Sequence, residues 1–401
     1  MTHALVTFLG RSSRREGAYR TTCYEFAKGD DCEPLAFFGW ALQSRLQPER
    51  LVILGTRGSM WDHLFEGDFD FGDVAEEERL ALAEGVENEQ VSSGDLEKLT
   101  PLLEQRLGCE VRLRLIPYCR DDAEQVELLR ILAEEVEAGD EVDLDITHGF
   151  RHLPMLGLIS ALHLRRVRGA RVRDIWYGAY DPDTGKAPVM RLGGLLRIAD
   201  WLEALSIYEK TGDYGVFEPL IRGELGALLS EASFLETVNR IGQARGKLRQ
   251  VLRKLDGIAG DPALSLFEEE LRRRIIWAEE DNFYLRQRQL ALEYLERGRY
   301  LESVLIGWEA FTTRLLLESG SGDPGNAEHR EQARKSFDGR ERQKHPRGDI
   351  YRAYDCLRRL RNAVAHGSQP KGEDVQRALG SAREMRLLLE QVFEKLLPVN
   401  G

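Results

Sequence analysis

The chain has 401 residues, of which 42% are hydrophobic and 31% are charged, and its formal net charge is −12. The length exceeds that of one ordinary domain, so we expect two or three domains in a soluble globular protein. The negative net charge excludes a generic nucleic-acid binder, because nonspecific affinity for nucleic acids comes mainly from cationic side chains that contact the phosphates. No apolar run could span a bilayer, and the N-terminus lacks the basic segment of a signal peptide. We therefore expect a cytoplasmic protein with no membrane association.

The first half of the chain alternates short apolar strands with helical patterns. Strands are predicted at residues 4–9, 21–26, 51–54, 111–116, 142–146 and 172–177. The second of them could pair with the first as a hairpin. Helices are predicted at residues 34–46, 74–84, 96–107, 123–136 and 153–167. This alternation indicates βαβ units, so we predict an α/β, Rossmann-like fold with a mostly parallel sheet that is covered on both faces.

The second half of the chain is predicted to be all-helical, because strand signals stop after about Leu192. A helix is predicted at residues 195–210, and helices follow one another from residue 220, with breaks at 257–262, 298 and 319–326. We therefore predict an α/β domain at residues 1–192 and a helical region at 193–401. The helical region is divided into connector helices at 193–280 and a helical core at 281–401.

The cysteines give no sign of a metal site. There are five, an odd number, and none forms a CxxC pair. A disulfide framework or a zinc site is therefore not expected, and buried or idle thiols are the better interpretation.

Three strand ends of the first half are rich in small, hydroxyl and cationic residues. They are Gly10-Arg11-Ser12-Ser13, Gly55-Thr56-Arg57-Gly58-Ser59-Met60-Trp61 and Thr147-His148-Gly149-Phe150-Arg151. In an open parallel sheet, ligands bind outside the carboxyl ends of the strands, where backbone amides suit phosphate and aromatic rings such as Trp61 and Phe150 could stack on bases. Each segment alone is a weak signal, but the three together predict a site for an anionic ligand. NAD and ATP are not favoured, since neither GxGxxG after the first strand nor GxxxxGK[ST] is present.

Residues 147–151 follow an Asp-rich strand and, together with residues 55–61, resemble the CARF sensor domain of type III CRISPR accessory proteins. The resemblance covers most of residues 1–190. In that family the strand ends hold a cyclic oligoadenylate across a dimer two-fold axis. The resemblance implies ligand contacts from Gly10, Arg11, Ser12, Thr56, Ser59, Trp61, Thr147, His148, Gly149, Phe150 and Arg151. It also favours cyclic tetra-adenylate over hexa-adenylate as the activator.

A second candidate site is the segment Arg361-Asn362-Ala363-Val364-Ala365-His366. Arginine, an amide and histidine are the side chains needed to cut RNA without a metal: histidine moves the proton, arginine stabilises phosphate charge, and the amide orients either. The bare spacing is a poor signal, since residues 340–345 match it too, although we expect those to form an exposed loop. The helix before Arg361 instead has a buried apolar face, and Gly367 should end it. From the segment alone, a helix end with a favourable cation is an equally good interpretation.

Spacing adds a geometric condition to this second site. Asn362 and His366 are four residues apart, so they lie on one helix face and are close enough to hydrogen-bond. Arg361 and His366 are roughly 140° apart around the helix axis at 3.6 residues per turn. One regular helix would not direct both at one phosphate. A bent last turn or a second copy of the helix is needed, which predicts a composite site in a homodimer or a higher even oligomer.

In its helical context the segment resembles the HEPN ribonuclease motif, with Asn362 as its polar residue, and CARF followed by HEPN is itself a family architecture. The resemblance implies a cyclic-oligoadenylate-activated, metal-independent endoribonuclease that needs no cofactor and cuts single-stranded RNA. His366 would act in proton transfer, Arg361 would stabilise the phosphorane, and Asn362 would orient His366 or a phosphate oxygen. Attack by the 2′-hydroxyl would leave a 2′,3′-cyclic phosphate.

Two other functions stay open at this level. The chain could be a ligand-sensing regulator whose helical half binds a partner or DNA, although no compact helix-turn-helix with a basic recognition helix precedes Arg361. It could also be a ring nuclease that degrades its own ligand in the α/β half, with Ser12, Thr147 or His148 assisting.

Overall fold

The structure is a computed structural model that describes residues 1–11, 14–15, 18–29, 32–149, 153–221, 223–255, 262–320, 322–369 and 372–399. The chain divides into two compact units, Met1–Ile198 and Ala199–Gly401. The division falls a few residues after the predicted boundary at residue 192, and the predicted subdivision at residue 280 stays a prediction. Within the described ranges, no helix combines the length and apolar character needed to cross a lipid bilayer.

The first unit is built on a seven-stranded sheet, counted over the described residues. Its strands and those of a separate two-stranded hairpin are β1 His3–Leu9, β2 Arg14–Arg15, β3 Ala18–Tyr19, β4 Cys23–Glu25, β5 Arg50–Gly55, β6 Glu110–Leu115, β7 Glu141–Asp145, β8 Arg171–Gly178 and β9 Lys186–Arg191. The order across the sheet is β4-β9-β8-β7-β1-β5-β6, and β2 pairs with β3. β8 and β9 are antiparallel, whereas the other neighbours in the sheet are parallel, so the predicted mostly parallel sheet is confirmed.

Helices cover both faces of the sheet. They are α1 Phe38–Leu46, α2 His63–Glu66, α3 Glu76–Glu87, α4 Ser93–Leu107, α5 Asp122–Glu134 and α6 Leu153–His163, and a π-helical turn at Leu164–Arg168 continues α6. α4 shows why such a segment begins where it does. Ser92 Oγ accepts a hydrogen bond from the amide of Asp95, and the Asp95 carboxylate accepts one from the amide of Ser92, a reciprocal cap that satisfies two donors otherwise left free.

Successive side chains of each strand point to opposite faces of the sheet, and this alternation divides the core into two layers. Leu5 and Leu9 of β1 pack in the layer that includes α1, α3 and α4. Val6 and Phe8 pack in the opposite layer with α5 and α6. Successive side chains of a strand point to opposite faces, so a parallel sheet covered on both sides needs apolar residues at nearly every position. Each such side chain contributes about 2 kcal/mol when it is fully buried.

The second unit is helical, and no strand occurs among its described residues. The helices are α7 Gly193–Thr211, which begins in the first unit, α8 Glu224–Thr237, α9 Ile241–Leu255, α10 Pro262–Ile275, α11 Phe283–Glu296, α12 Tyr300–Ser319, α13 Ala327–Arg342, α14 Asp349–His366, α15 Glu373–Gly380 and α16 Ala382–Leu396. Short 3₁₀ segments lie at Tyr214–Leu220 and Ile276–Glu279. The predicted breaks at residue 298 and residues 319–326 are confirmed. The break at 257–262 falls almost entirely outside the described residues.

Several predictions about the elements need correction. β4 does not pair with β1. It pairs with β9 at the far edge of the sheet, where the Tyr24 ring packs against Phe38 with the ring centroids 4.6 Å apart. β9 itself was missed, because the strand contains Pro188 and is largely exposed. Cys23 and Cys32, expected to be buried or idle thiols, form a disulfide.

Candidate functional site

The carboxyl ends of β1, β5 and β7 lie side by side, as the sequence predicts. A cavity of about 190 Å³ is located there, and we call it the sheet-edge cavity. Its lining residues are Leu9, Gly10, Arg11, Thr56, Gly58, Ser59, Glu89, Ile116, Tyr118 and Gly149. Five of the predicted ligand residues therefore line one cavity. Tyr118 was not predicted, although it follows the predicted strand at 111–116 and the rule of strand ends points to it.

Two glycines allow the strand ends to approach each other. A β-carbon on Gly10 would lie 2.6 Å from the backbone nitrogen of Gly149, a separation that no side chain tolerates. Gly149 has a φ of 116°, in the region that favours glycine. The sequence therefore places glycine at both positions because the loops after β1 and β7 touch.

The turn after β5 is held by buried hydrogen bonds. Ser59 Oγ donates to the carbonyl of Leu9 at 2.6 Å and accepts from the amide of Thr56 at 2.9 Å. The indole Nε1 of Trp61 donates to the carbonyl of Thr56 at 2.8 Å, and the Trp61 side chain is fully buried in the core. Its position corrects the expectation that Trp61 stacks on a base, because the ring does not reach the cavity.

Thr147 and His148 fasten the end of β7 to its neighbours. Thr147 Oγ1 accepts from the amide of Gly178 at 2.8 Å, and His148 Nε2 accepts from the amide of Phe38 at 3.0 Å. Burial, and to a lesser degree the nearby charges of His63 and Arg20, lowers the pKa of His148 to about 4. The ring is therefore neutral near pH 7, with its accepting nitrogen already engaged. Direct ligand contacts from Thr147 and His148 stay predictions, and Ser12, Phe150 and Arg151 lie outside the described residues.

A buried carboxylate lies behind the same sheet edge. Asp145 accepts hydrogen bonds from Thr7 Oγ1 at 2.6 Å and from the amide of Thr147 at 2.8 Å. Burial raises the pKa of Asp145 to about 6, against the opposing effect of these hydrogen bonds. Asp145 fixes the backbone from which the residue 147–149 segment leaves the strand.

The second candidate site lies at the end of α14. The helix ends at His366, and Gly367 follows with a φ of 59°, as predicted from the sequence. Asn362 and His366 are exposed, and Arg361 is half-buried. Arg361 Nη1 donates to Asn362 Oδ1 at 3.2 Å, so the amide oxygen faces the arginine and not the histidine. Arg361 Nε is buried, and no described residue accepts its hydrogen bond.

α14 holds these residues on a regular, well-packed element. Leu357 and Leu360 are fully buried, and the Trp308 ring stacks on Tyr354 with the ring centroids 5.5 Å apart. The helix is α-helical from Asp349 to His366, so the bent last turn that could have joined Arg361 and His366 is not observed.

The second match to the motif spacing, at residues 340–345, differs from the first. Arg340 lies in the last turn of α13, and His345 is exposed beyond its end. Residues 340–345, expected to form a loop, therefore begin inside α13. Among the described residues of α13 only Phe337 is buried, so this helix lacks the buried face of α14. No group of three or more His, Cys, Asp or Glu side chains arranged to hold a metal ion occurs in the described parts of the chain.

Two comparisons with known proteins show what this chain is similar to. The family model described as the CARF domain of the CRISPR system endoribonuclease Csx1 matches residues 4–181. The CRISPR-associated protein MJ1674 of Methanocaldococcus jannaschii is 26% identical over 224 residues, which cover 51% of this chain and 35% of the relative. The chain therefore matches about a third of that relative's length. The family model ends before the helical unit begins.

Proposed function

Residues 4–181 form a CARF domain, which makes this chain a CARF-containing accessory protein of type III CRISPR systems, and from this premise we propose that it is a cyclic-oligoadenylate-activated endoribonuclease. The observation that carries the proposal is the arrangement of Arg361, Asn362 and His366 at the exposed end of α14. These three side chains supply a phosphate-binding cation, an orienting amide and a proton-transfer group on one rigid helix.

The activator would bind in the sheet-edge cavity. Arg11 offers a cation there, and Gly10 and Gly149 line the cavity without side chains, so their backbone would be the part that faces a phosphate. A cavity of about 190 Å³ would take a segment of a ring made of adenosine phosphates, with a second copy of the chain supplying the other half of the contacts. Cyclic tetra-adenylate is the preferred ring, with the homodimer as the smallest active assembly. Binding would change the placement of the two helical units and so assemble the nuclease site.

The chemistry follows from the three side chains of α14. The 2′-hydroxyl of single-stranded RNA attacks the adjacent phosphorus, the bond to the 5′-oxygen breaks, and a 2′,3′-cyclic phosphate and a 5′-hydroxyl result. His366 acts in proton transfer, and Arg361 stabilises the charge of the phosphorane.

The experiment compares two histidines that occupy the same motif spacing in one chain. Single-stranded RNA is incubated with the wild type, His366→Ala and His345→Ala, each with and without cyclic tetra-adenylate. We expect ligand-dependent cleavage by the wild type and by His345→Ala, and a loss of about 10²–10⁴-fold in His366→Ala. The wild-type rate should survive EDTA. Cleavage retained by His366→Ala, or abolished by the chelator, would contradict the proposal.

A further inference from the structure

A carboxylate lies inside the cavity that we assign to an anionic ligand. Glu89 is at the junction of α3 and α4, where its φ of 55° places it in the left-handed region. Its side chain lies against Gly58, since a β-carbon added to Gly58 would be 2.9 Å from Glu89 Cγ. Gly58 therefore leaves room for the glutamate at the point where the carboxyl ends of the parallel strands favour phosphate.

Both carboxylate oxygens of Glu89 are engaged by donors of the sheet-edge cavity. Arg11 Nη1 donates to Oε1 at 2.6 Å, and the Tyr118 hydroxyl donates to Oε2 at 3.0 Å. Arg11 follows β1 and Tyr118 follows β6, so the two donors converge on Glu89 from different strand ends. A cation and a hydroxyl directed at two oxygens of one anion are also the donors that a phosphodiester would use.

We propose that Glu89 is an internal competitor of the ligand. In the free protein the Glu89 carboxylate occupies Arg11 and Tyr118, and it thereby lowers the affinity of the cavity for anionic ligands. The inference rests on the proposed function for the identity of the ligand. A phosphodiester that takes these donors displaces the carboxylate, because two adjacent anions repel each other. A simple anion competes poorly, whereas a ring that presents several phosphates and bases makes further contacts that offset the displacement.

The exposure of the pair makes such a displacement feasible. The Arg11 and Glu89 side chains are 59% and 49% exposed. An ion pair in that environment adds little to the stability of the fold, so separating it does not disturb the core. Glu89 is therefore a positioning and specificity residue, and Arg11 is the ligand contact it controls.

The test compares Glu89→Gln with Glu97→Gln, an exposed glutamate on α4 that does not line the cavity. Isothermal titration measures binding of two probes, cyclic tetra-adenylate and inorganic pyrophosphate. We expect Glu89→Gln to bind a probe about tenfold more tightly than the wild type, with Glu97→Gln unchanged. In an Arg11→Ala background the gain from Glu89→Gln should fall below about twofold, because the cation that Glu89 occupies is gone.

The outcomes separate this inference from the proposed function. If no form of the protein binds cyclic tetra-adenylate, the proposed ligand is wrong, and the pyrophosphate titration still decides the role of Glu89. If the wild type binds cyclic tetra-adenylate and Glu89→Gln binds both probes no more tightly than Glu97→Gln, the role assigned to Glu89 is overturned. A gain that persists in the Arg11→Ala background would also overturn it, since general charge repulsion would then account for the effect. Unchanged melting temperatures establish that each variant is folded.

Discussion

At the scale of single residues, the carboxyl end of β7 is held by Asp145, whose carboxyl group has lost its hydration through burial. Asp145 is fully buried, and its two hydrogen-bond donors, Thr7 Oγ1 and the amide of Thr147, offset only part of the loss of hydration. The pKa of Asp145 consequently rises from its ordinary value of 3.8 to about 6. The folded protein therefore holds this proton at pH values where the unfolded chain has released it. The stability that Asp145 contributes is fully present below about pH 4 and declines as the pH rises through 6.

Replacing Asp145 by asparagine should remove this pH dependence. An asparagine can accept from the amide of Thr147 and donate to Thr7 Oγ1, so it resembles the protonated acid. We expect the melting temperature of Asp145→Asn, relative to the wild type, to rise by several degrees between pH 4 and pH 7. The shift of two pKa units corresponds to about 3 kcal/mol. Asp73→Asn, at an exposed aspartate, is the control and should show no such trend. Parallel pH profiles of the wild type and Asp145→Asn would show that Asp145 does not titrate in this way.

Sequence reasoning found the cavity-lining residues that lie at strand ends. Gly10, Thr56, Ser59 and Gly149 line the cavity because the carboxyl ends of parallel strands meet at one edge. Trp61 could not be assigned correctly, because a tryptophan after a strand can face either the core or the ligand. Glu89 could not be found at all. The role we propose for Glu89 depends on contact with Arg11, a residue 78 positions away, which no local pattern encodes.

At the scale of elements, α14 depends on an ion pair that spans the turn after His366. Arg359 Nη1 and Nη2 donate to the two oxygens of Asp374, each at 2.8 Å, which connects α14 to the first turn of α15. The hydrogen bonds from Arg359 are the main cause that lowers the pKa of Asp374 to about 2. A bidentate guanidinium–carboxylate pair fixes orientation as well as distance, so it holds the end of α14 that carries Arg361 and His366.

Asp374→Asn should therefore loosen this end of the helical unit. The Arg359 and Asp374 side chains are 24% and 37% exposed, so solvent screening limits the loss to about 1 kcal/mol, or about 2–4 °C in melting temperature. A carboxylate with a depressed pKa contributes stability above pH 4 and loses it as the pH falls toward 2, so the difference should shrink below pH 4. We also expect slower, but not abolished, RNA cleavage.

The matched control for this prediction is an aspartate on α14, the helix that also carries Arg359. Asp349 pairs with Arg352 at 2.6 Å, but these side chains are 65% and 68% exposed. Asp349→Asn should leave both stability and cleavage unchanged. Equal effects of the two substitutions would mean that the Arg359–Asp374 pair has no special role at the site.

The elements themselves were predicted with uneven success. The strands β1, β5, β6, β7 and β8 were found, because short segments with apolar residues at consecutive or alternate positions between helical patterns identify them. The partner of β4 was wrong, since alternation predicts a strand but not its neighbour, and β9 lies far along the chain. α1 begins at Phe38, four residues after the predicted start at residue 34, because residues 35 and 22 are paired by backbone hydrogen bonds.

At the scale of the whole molecule, the geometry of α14 leads to a question of assembly. The helix is regular to His366, so Arg361 and His366 of one copy project roughly 140° apart around its axis. A site in which both act on one phosphate then takes Arg361 from one copy and His366 from the other. A two-fold axis would generate two such sites in a dimer.

Two heterodimers distinguish this composite site from a site contained in each copy. One pairs an Arg361→Ala chain with a His366→Ala chain, and the other pairs the wild type with the Arg361→Ala/His366→Ala double variant. Each is purified through two different affinity tags and assayed with cyclic tetra-adenylate. If the sites are composite, the first heterodimer retains one intact site and about half of the wild-type activity, whereas the second retains none. If each copy carries its own site, the two results are exchanged: the first heterodimer is inactive and the second is half-active. Because both heterodimers carry the same two substitutions in total, a general loss of stability would affect them equally. Only the placement of Arg361 and His366 on one chain or on two differs between them.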